Sequence, residues 1–421
     1  MAFDPEKLKE RRAQREQQRQ KQQRTMVVRL AVAAMALILC VVLIVSLVGG
    51  GKQEPEQTLP PVSTVEGTQD TAAAETRPPQ TVIHLAAAGD LNISEAVVGS
   101  GGGDYNYTDT MLDVAHLLAG ADVTALNFEG NFCGAPYGTD RSAPQSMAEA
   151  LSAAGVDLVQ LANSYSVYKG MDGLGETISA VRLAGMEPLG VYANSQDAKA
   201  GKGYTMRLVQ GIKIAFVAFT KGMDGMALPA GNEGCVNLLY TDYATDYQNV
   251  DTEGISRVMD AVAKEKPDLT VVLLHWGSEF NNTISASQKE ICKLLQEKGA
   301  DAIVGTHSHY VQKMEFDQTA GTFVAYSLGD FLGDAQRAGS EYSVILDLEI
   351  TKDNTSGETK ITGYSYTPIF TVAEAEKPLK VLRIREAMKA YEDDYIDRVS
   401  QETYDAMAYA LERIEARINA K

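Results

Sequence analysis

The stretch Leu269–His309 reads LTVVLLHWGSEFNNTISASQKEICKLLQEKGADAIVGTHSH, and it combines two kinds of apolar pattern. It opens with the short apolar run Leu269–His275 and closes with a second run, Asp301–Gly305, followed by polar residues. Short runs of this kind predict buried strands. Between them, apolar residues recur at helical spacing over residues 285–299. The stretch is therefore predicted to form a strand–helix–strand unit, which is typical of an α/β domain.

The same alternation continues through most of the chain from residue 81 onward. Further strands are predicted at Val82–Ala88, Val123–Phe128 and Val156–Ala162, and helical patterns separate them. A hairpin is predicted at Gln210–Gly211, and residues 323–350 contain strand patterns with no helix between them. Such successive strands favour a pair of mixed sheets between helices over a purely parallel sheet. We place this domain at residues 81–375 and a C-terminal helical segment at residues 376–421.

The first 80 residues differ in composition from the rest. Residues 30–48 are nineteen residues without a charge, which as a helix would span about 28 Å, close to the thickness of a bilayer core. The basic residues 1–29 place this tail in the cytoplasm and the rest of the chain outside the cell. A cleaved signal peptide is the alternative, although its apolar region is normally shorter. Residues 49–80, rich in Gly, Pro, Thr and Glu, predict a disordered stalk.

The charge of the chain is negative and unevenly distributed. It has 38 Lys and Arg residues against 56 Asp and Glu residues, a formal net charge of −18. Residues 1–29 contain nine basic and four acidic residues, which leaves a net charge of −23 on the remainder. A surface this acidic repels phosphate backbones, so we expect no nucleic-acid partner.

Polar side chains follow the predicted strands where each strand ends. Ligands of α/β sheets bind beyond the carboxyl ends of strands, where loops carry the chemistry. Residues two positions apart on a strand point to the same face. His307 and His309 have this spacing and would share a face if the chain stays extended. Carboxylate, amide and imidazole groups together are suited to divalent Mn, Fe or Zn. The polar residues at these strand ends are Asp90, Asn127, Glu129, Asn163, His275, His307 and His309.

Five motifs in order resemble those of CapA-like proteins of poly-γ-glutamate capsule synthesis, whose domain is related to calcineurin-like metallophosphatases. The resemblance extends from about Ile83 to Phe370. AAGDLNI (87–93) resembles the opening GD motif of the family, and LNFEGNF (126–132) resembles its N-L-E motif. HWGSEF (275–280), GTHSHYVQ (305–312) and YSLGDF (326–331) are similar to three later motifs. Each motif alone is weak, whereas five in the right order are specific.

This resemblance implies a fold, a metal centre and a cellular role. The expected fold is a four-layer α/β/β/α sandwich, preceded here by the single transmembrane helix and the stalk. The expected ions are two divalent metals (Mn, Fe or Zn). The expected partners are the cell membrane, an anionic surface polymer and its synthase complex. The residues in the metal-ligand positions are Asp90, Glu129, Asn163, His275, His307 and His309.

One motif departs from the family pattern L-A-N-N-H-x-x-D-x-G. The corresponding stretch is LANSYSVYKG (161–170), which keeps Asn163 but has Ser164, Tyr165 and Tyr168 where the family has Asn, His and Asp. Tyr165 occupies the catalytic position in a degenerate form, because a phenol with a pKa near 10 exchanges protons poorly at neutral pH. Two interpretations follow: a metal-dependent, phosphoesterase-like hydrolase with impaired activity, or a non-catalytic member that binds polymer or braces a synthase complex.

Overall fold

Two mixed β-sheets form the centre of the computed structural model, which describes residues 79–335, 337–373, 377–393 and 399–420. In the first sheet the strand order is β14-β13-β12-β1-β2-β3-β4, with β11 beside β1. β1 to β4 are parallel, whereas β12, β13 and β14 are antiparallel to their neighbours. Numbered in chain order, these strands are β1 (Gln80–Asn92), β2 (Val123–Glu129), β3 (Leu158–Gln160), β4 (Glu187–Leu189), β11 (Asp330–Leu332), β12 (Tyr342–Asp353), β13 (Thr359–Val372) and β14 (Lys380–Arg383).

The second sheet has the strand order β5-β6-β7-β8-β10-β9. Its two edge pairs are antiparallel and the strands between them are parallel. The β5–β6 pair forms the hairpin that the sequence predicts at Gln210–Gly211. The prediction of mixed sheets is therefore confirmed. The strands are β5 (Tyr204–Val209), β6 (Ile212–Thr220), β7 (Leu269–His275), β8 (Ala302–Thr306), β9 (Met314–Asp317) and β10 (Thr322–Ala325).

Helices cover the outer faces of both sheets. One hydrophobic core lies between the first sheet and α1 to α5, and another lies between the second sheet and α7 and α8. Together with the two sheets these helices make four layers in the order α/β/β/α. The helices of the described residues are α1 (Glu95–Gly99), α2 (Thr108–Met111), α3 (Ala115–Gly120), α4 (Gln145–Ala154), α5 (Gly170–Leu183), α6 (Ser195–Gly201), α7 (Thr252–Glu265), α8 (Ala286–Glu297), α9 (Ile384–Glu392) and α10 (Gln401–Ile418), besides the 3₁₀ turn Thr139–Arg141.

A third core fills the space between the sheets. Successive side chains of a strand point to opposite faces, so every second residue of each central strand enters this core. The residues of β2 and β7 that do so are Val123, Ala125, Leu269, Val271 and Leu273. The residues between them pack against the outer helices instead. This alternation determines which side of each strand its last polar residue faces.

The two C-terminal helices extend the core between the sheets. α9 and α10 contact each other and β13. Their apolar side chains, which include Ile384, Met407 and Ile414, are buried in that core. No helix of the described residues is long and apolar enough to cross a membrane. The predicted basic tail (1–29) and anchor (30–48), and nearly all of the predicted stalk (49–80), lie outside the described residues.

Candidate metal centre

The last residues of β2 and β7 extend into the gap between the two sheets. On β2, Asn127 and Glu129 continue the row of inward-facing residues, as period-two alternation requires. On β7, His275 continues the corresponding row from the opposite sheet. The Nε2 atom of His275 contacts the Oε1 atom of Glu129, and both side chains are buried. The carboxyl ends of the two sheets are therefore joined by a carboxylate–imidazole contact.

A β-bulge brings Asp90 into the same gap. Ala88 of β1 pairs with Leu126, yet Asp90 pairs with Asn127, so Gly89 is an extra residue on β1. Strict alternation would turn the Asp90 side chain toward the outer helices, and the bulge turns it inward. The Nδ2 group of Asn127 donates a hydrogen bond to Oδ1 of Asp90 over 2.6 Å. Asp90 thus enters the gap because the register of one strand shifts by one residue.

The two histidines after β8 lie in a turn. β8 ends at Thr306, and His307 and His309 have backbone φ angles of +85° and +58°. The chain does not stay extended here, because the backbone adopts the left-handed region at each histidine, so the alternation of strand faces does not apply to this pair. The turn is tied to β1, since the backbone N–H of His307 donates to Oδ2 of Asp90 over 2.9 Å. Both imidazoles nevertheless reach the gap.

Six side chains form two adjacent groups of potential ligand atoms. Within each group these atoms lie no more than 4.8 Å from one another. The imidazole rings of His275 and His307 are 4.2 Å apart between centroids, and those of His307 and His309 are 6.2 Å apart. All six side chains are buried. The first group is Glu129, His275 and His307, and the second is Asp90, His309 and Asp330.

The electrostatics favour the metal-binding forms of the first group. Burial and the neighbouring His275 and Lys221 lower the pKa of His307 well below its ordinary value, so its imidazole is neutral at neutral pH. Burial alone would raise the pKa of Glu129, but the charge and hydrogen bond of His275, together with His309, lower it overall. A neutral imidazole and an ionised carboxylate are the forms that bind metals.

In the second group, burial has the largest effect on the pKa of each carboxyl group. Burial and the charge of Glu129 raise the pKa of Asp90. Burial likewise raises the pKa of Asp330. Burial alone would lower the pKa of His309, but the adjacent Asp330 carboxylate raises it overall. Each of these carboxyl groups is therefore in an environment where a nearby cation would favour its ionised form.

A divalent cation fits the donor set. The Nδ1 atom of His307 is buried and has no hydrogen-bond partner, which is costly for a polar atom unless something binds it. Three buried carboxylates lie beside it, and carboxylate with imidazole is a common ligand combination for Mn, Fe and Zn. The residues present could thus hold divalent metal ions.

Asn163 and Tyr165 lie at the edge of this centre. The amide of Asn163 donates to Oδ1 of Asn127 over 3.1 Å and to the Phe128 carbonyl over 2.6 Å. Its Oδ1 accepts the backbone N–H of Tyr165 over 3.0 Å. Burial and the charge of Glu129 raise the pKa of Tyr165 to about 12. Asn163 therefore adjoins the six-residue cluster through Asn127, and the raised pKa makes the Tyr165 hydroxyl a poor proton shuttle at neutral pH.

Asp330 is a residue of the cluster to which the sequence alone assigns no role. It opens β11 and pairs in register with Asp90 of β1. Its Oδ1 atom lies 2.8 Å from Nδ1 of His309. The available signal was the stretch YSLGDF (326–331), in which Asp330 stands where the motif it resembles, S-L-G-N-F, has Asn. Nothing in the local pattern indicated that this short strand pairs with β1.

The fold and the site define a class of protein: an α/β sandwich with a buried carboxylate–imidazole cluster at the carboxyl ends of both sheets, suited to divalent cations. The chain belongs to the bacterial capsule synthesis protein family PGA_cap, whose profile matches residues 84–335, more than half of its length. The matched segment contains all six residues of the two groups.

Relatives of this chain include two Bacillus proteins. The capsule biosynthesis protein CapA of Bacillus anthracis is 27% identical over 252 residues, which are 58% of this chain and 58% of that protein. The chain thus spans less than two thirds of that relative. The PGA biosynthesis protein CapA of Bacillus subtilis is 24% identical over 287 residues, 67% of this chain and 71% of that protein. Among solved structures, the calcineurin-like phosphoesterase YfkN from Bacillus subtilis is similar at 16% identity over 79% of this chain and all of that one, with a TM-score of 0.43.

Proposed function

We propose that this protein is a membrane-anchored, extracellular component of capsule or surface-polymer biosynthesis, of the poly-γ-glutamate type, whose sandwich domain binds two divalent metal ions. The observation that supports this most is the buried cluster of three carboxylates and three imidazoles, in a chain of the capsule synthesis family. The names of the Bacillus relatives agree with a role in capsule or PGA biosynthesis. The membrane anchor rests on the uncharged run at residues 30–48.

The residues of the centre suggest what the domain does to a substrate. Divalent metals supply Lewis acidity and an activated water when bound in such centres. Glu129 and His275, which come from opposite sheets, hold the two halves of the centre together. Thr220 Oγ1 lies 3.2 Å from Nδ1 of His275 and fixes the orientation of its ring. This arrangement supports metal-dependent hydrolysis as the first candidate activity.

Two cationic side chains beside the centre favour an anionic substrate. The guanidinium carbon of Arg141 lies 4.4 Å from the centroid of the Tyr165 ring. The Nζ atom of Lys221 donates to the Gly277 carbonyl over 2.8 Å, and its charge contributes to the low pKa of His307. Arg141 also donates through Nη1 to the Ile93 carbonyl over 3.0 Å, and its charge contributes to the lowered pKa of Glu129. Burial lowers the pKa of Lys221, against the charge of Glu279. In a chain this acidic, cations beside a buried centre are suited to carboxylate or phosphate groups.

The second candidate is a non-catalytic, polymer-binding or scaffolding role, which Tyr165 favours. A phenol whose pKa is raised to about 12 cannot exchange protons at neutral pH, and the Arg141 guanidinium covers the ring face. Losing a general acid or base typically costs ~10²–10⁴ in rate. In this alternative the metal centre is structural or binds the polymer, and turnover is absent.

The metal centre is tested by elemental analysis of the full-length protein after purification and dialysis. We expect about two equivalents of divalent metal in the wild type, and loss of at least one in the His275→Ala, His307→Ala double variant, because two of its imidazole ligands are removed. His84→Ala is the matched control, since His84 is a β1 histidine that pairs with Asp347 instead. Equal metal content in all three proteins would contradict the proposed centre.

The biological role is tested by complementation. A strain lacking the gene should lose or shorten its anionic surface polymer, and the wild-type gene should restore it. If the double histidine variant accumulates normally but does not restore the polymer, the metal centre is needed for that role. An unchanged polymer in the deletion strain would overturn the assignment to surface-polymer biosynthesis. Hydrolysis of a generic phosphoester by the Mn²⁺-loaded protein separates the two candidate roles.

A further inference from the structure

The second ligand group depends on a contact between two strands of the first sheet. β11 lies parallel to β1, and Asp330 pairs in register with Asp90. The backbone N–H of Asp90 donates to the carbonyl of Gly329 over 3.0 Å, which fixes the two strands at this point. Both carboxylates therefore enter the gap side by side, with exposed fractions of 0% for Asp90 and 6% for Asp330.

The contact between Asp330 and His309 has the separation expected of two ligands of one ion. Oδ1 of Asp330 and Nδ1 of His309 are 2.8 Å apart. Adjacent ligands of a six-coordinate ion with bonds of about 2.1 Å lie about 3 Å from each other. The potential ligand atoms of Asp90, His309 and Asp330 are all within 4.8 Å of one another. One cation can therefore contact all three.

The charge of the cluster favours cations. Asp90, Glu129 and Asp330 are three buried carboxyl groups. Glu129 contacts His275 and Asp330 contacts His309, whereas Asp90 accepts hydrogen bonds from the Asn127 amide and the backbone N–H of His307. Buried carboxylates are costly unless they are paired or coordinate metals. The neighbouring His307 has a buried Nδ1 atom without a partner, which independently indicates a ligand in this gap.

We propose that Asp330 is a metal ligand that distinguishes the two ion positions of this centre. With Asp330, one position contains two carboxylates and one imidazole, whereas the other contains Glu129 and two imidazoles. Carboxylate-rich positions suit Mn²⁺ or Mg²⁺, and imidazole-rich positions suit Zn²⁺ or Fe²⁺. The centre therefore takes two different ions. This inference rests on the proposed metal centre and adds the assignment of Asp330 and the difference between the positions.

The competing role for Asp330 is to orient His309 by a hydrogen bond without contacting metal. A carboxylate in that role changes the affinity of its histidine for any ion bound there, typically 10–100-fold. Loss of a carboxylate that is itself a ligand lowers the affinity for a hard ion such as Mn²⁺ more than the affinity for Zn²⁺. The reason is that Zn²⁺ is bound by fewer ligands and accepts nitrogen ligands readily. The ratio of Mn²⁺ affinity to Zn²⁺ affinity therefore separates the two roles.

The experiment uses the full-length protein stripped of metal and titrated with Mn²⁺ or Zn²⁺, followed by calorimetry and, for Mn²⁺, by electron paramagnetic resonance. Asp330→Asn keeps the size of the side chain and an acceptor for His309 but removes the charge. We expect it to lower the Mn²⁺-to-Zn²⁺ affinity ratio at the second position by about tenfold or more and to leave the first position within about twofold. Asp347→Asn is the matched control, because Asp347 pairs with His84 in the same sheet at 2.9 Å.

Each outcome decides the inference. The Mn²⁺-to-Zn²⁺ affinity ratio is unchanged in Asp330→Asn if both affinities stay the same or if both fall by the same factor. Either result overturns Asp330 as a ligand while the proposed metal centre stands. A wild-type protein that binds no stoichiometric metal overturns the proposed centre itself. If Asp330→Asn does not fold by circular dichroism, His309→Gln tests the same position. That variant should weaken Mn²⁺ binding and spare the first Zn²⁺ equivalent, and loss of both would contradict two distinct positions.

Discussion

Tyr165 lies beside the candidate metal centre in a setting that disfavours proton transfer at neutral pH. Its backbone N–H is held by Asn163, and its ring contacts Tyr168 edge-on with centroids 5.7 Å apart. The raised pKa of its hydroxyl follows first from burial and then from the charge of Glu129. A neutral imidazole at this position would instead titrate near neutral pH.

Restoring the family motif should therefore increase hydrolysis if general acid–base chemistry limits it. The change is Ser164→Asn with Tyr165→His and Tyr168→Asp. With Mn²⁺ bound, we expect phosphoester hydrolysis to rise ~10²-fold or more, since this is the usual contribution of a positioned acid or base. The measurement is the initial rate against that of the wild type and of Tyr165→Phe, which removes only the hydroxyl. A wild-type rate already typical of working metallophosphatases would contradict the impaired-site interpretation.

The sequence alone predicts which polar residues end the strands and belong to the site. It does not predict which residues lie beside them across the sheet. Asn127 and Glu129 share a strand face because of period-two alternation, and this follows from the sequence alone. Asp330 joins the centre only because β11 pairs with β1 over a sequence separation of more than two hundred residues. Neither strand pattern nor composition specifies that pairing, since it depends on the tertiary fold.

At the scale of the element, the bulge at Gly89 positions Asp90. A Cβ atom built on Gly89 would lie 1.8 Å from the carbonyl oxygen of Gly329, the residue immediately before β11 and Asp330. Backbone atoms cannot move away from such a contact as the end of a flexible side chain can. Only glycine therefore allows β1 and β11 to approach closely enough to align Asp90 with Asp330.

Gly89→Ala should separate the two strands and weaken the metal centre. We expect a loss of unfolding free energy on the order of 2 kcal/mol or more, as for overpacked cores, together with reduced binding of the second metal equivalent. Chemical denaturation and metal titration measure the two effects. Gly175→Ala on α5 is the control, because its Cβ would have no neighbour closer than 4.0 Å and alanine favours a helix. Equal stability and metal binding in both variants would contradict the role assigned to Gly89.

Apolar runs predicted the positions of these strands well and the ends of some of them less well. The predicted strand Leu269–His275 has the bounds of β7, since its residues are buried on both faces. The predicted strand Val156–Ala162 shortens to Leu158–Gln160. The turn at His307 and His309 is set by positive φ angles that neither residue prefers, and the surrounding contacts impose them.

At the scale of the whole molecule, charge and hydropathy divide the chain into a basic end, an apolar run and a large acidic remainder. Residues 1–29 have an excess of five positive charges, and the remainder has a net charge of −23. If the domain binds an anionic polymer, as proposed, it must concentrate its cations locally, and Arg141 and Lys221 lie beside the centre. Long-range repulsion from the rest of the surface would then restrict an anionic polymer to this part of the domain.

The proposed membrane topology can be tested by adding protease to intact cells. With epitope tags at both ends of the full-length protein, external protease should remove the C-terminal tag and leave the N-terminal tag, because residues 30–48 are long enough to span the bilayer and residues 1–29 are basic. In permeabilised cells, which are the control, both tags should be lost. A cleaved signal peptide gives a different result: a C-terminally tagged fragment free in the medium, whose N-terminus lies near Gly49. Recovery of that fragment as the main product would replace the anchor with a secreted domain, and it would leave the metal centre unaffected.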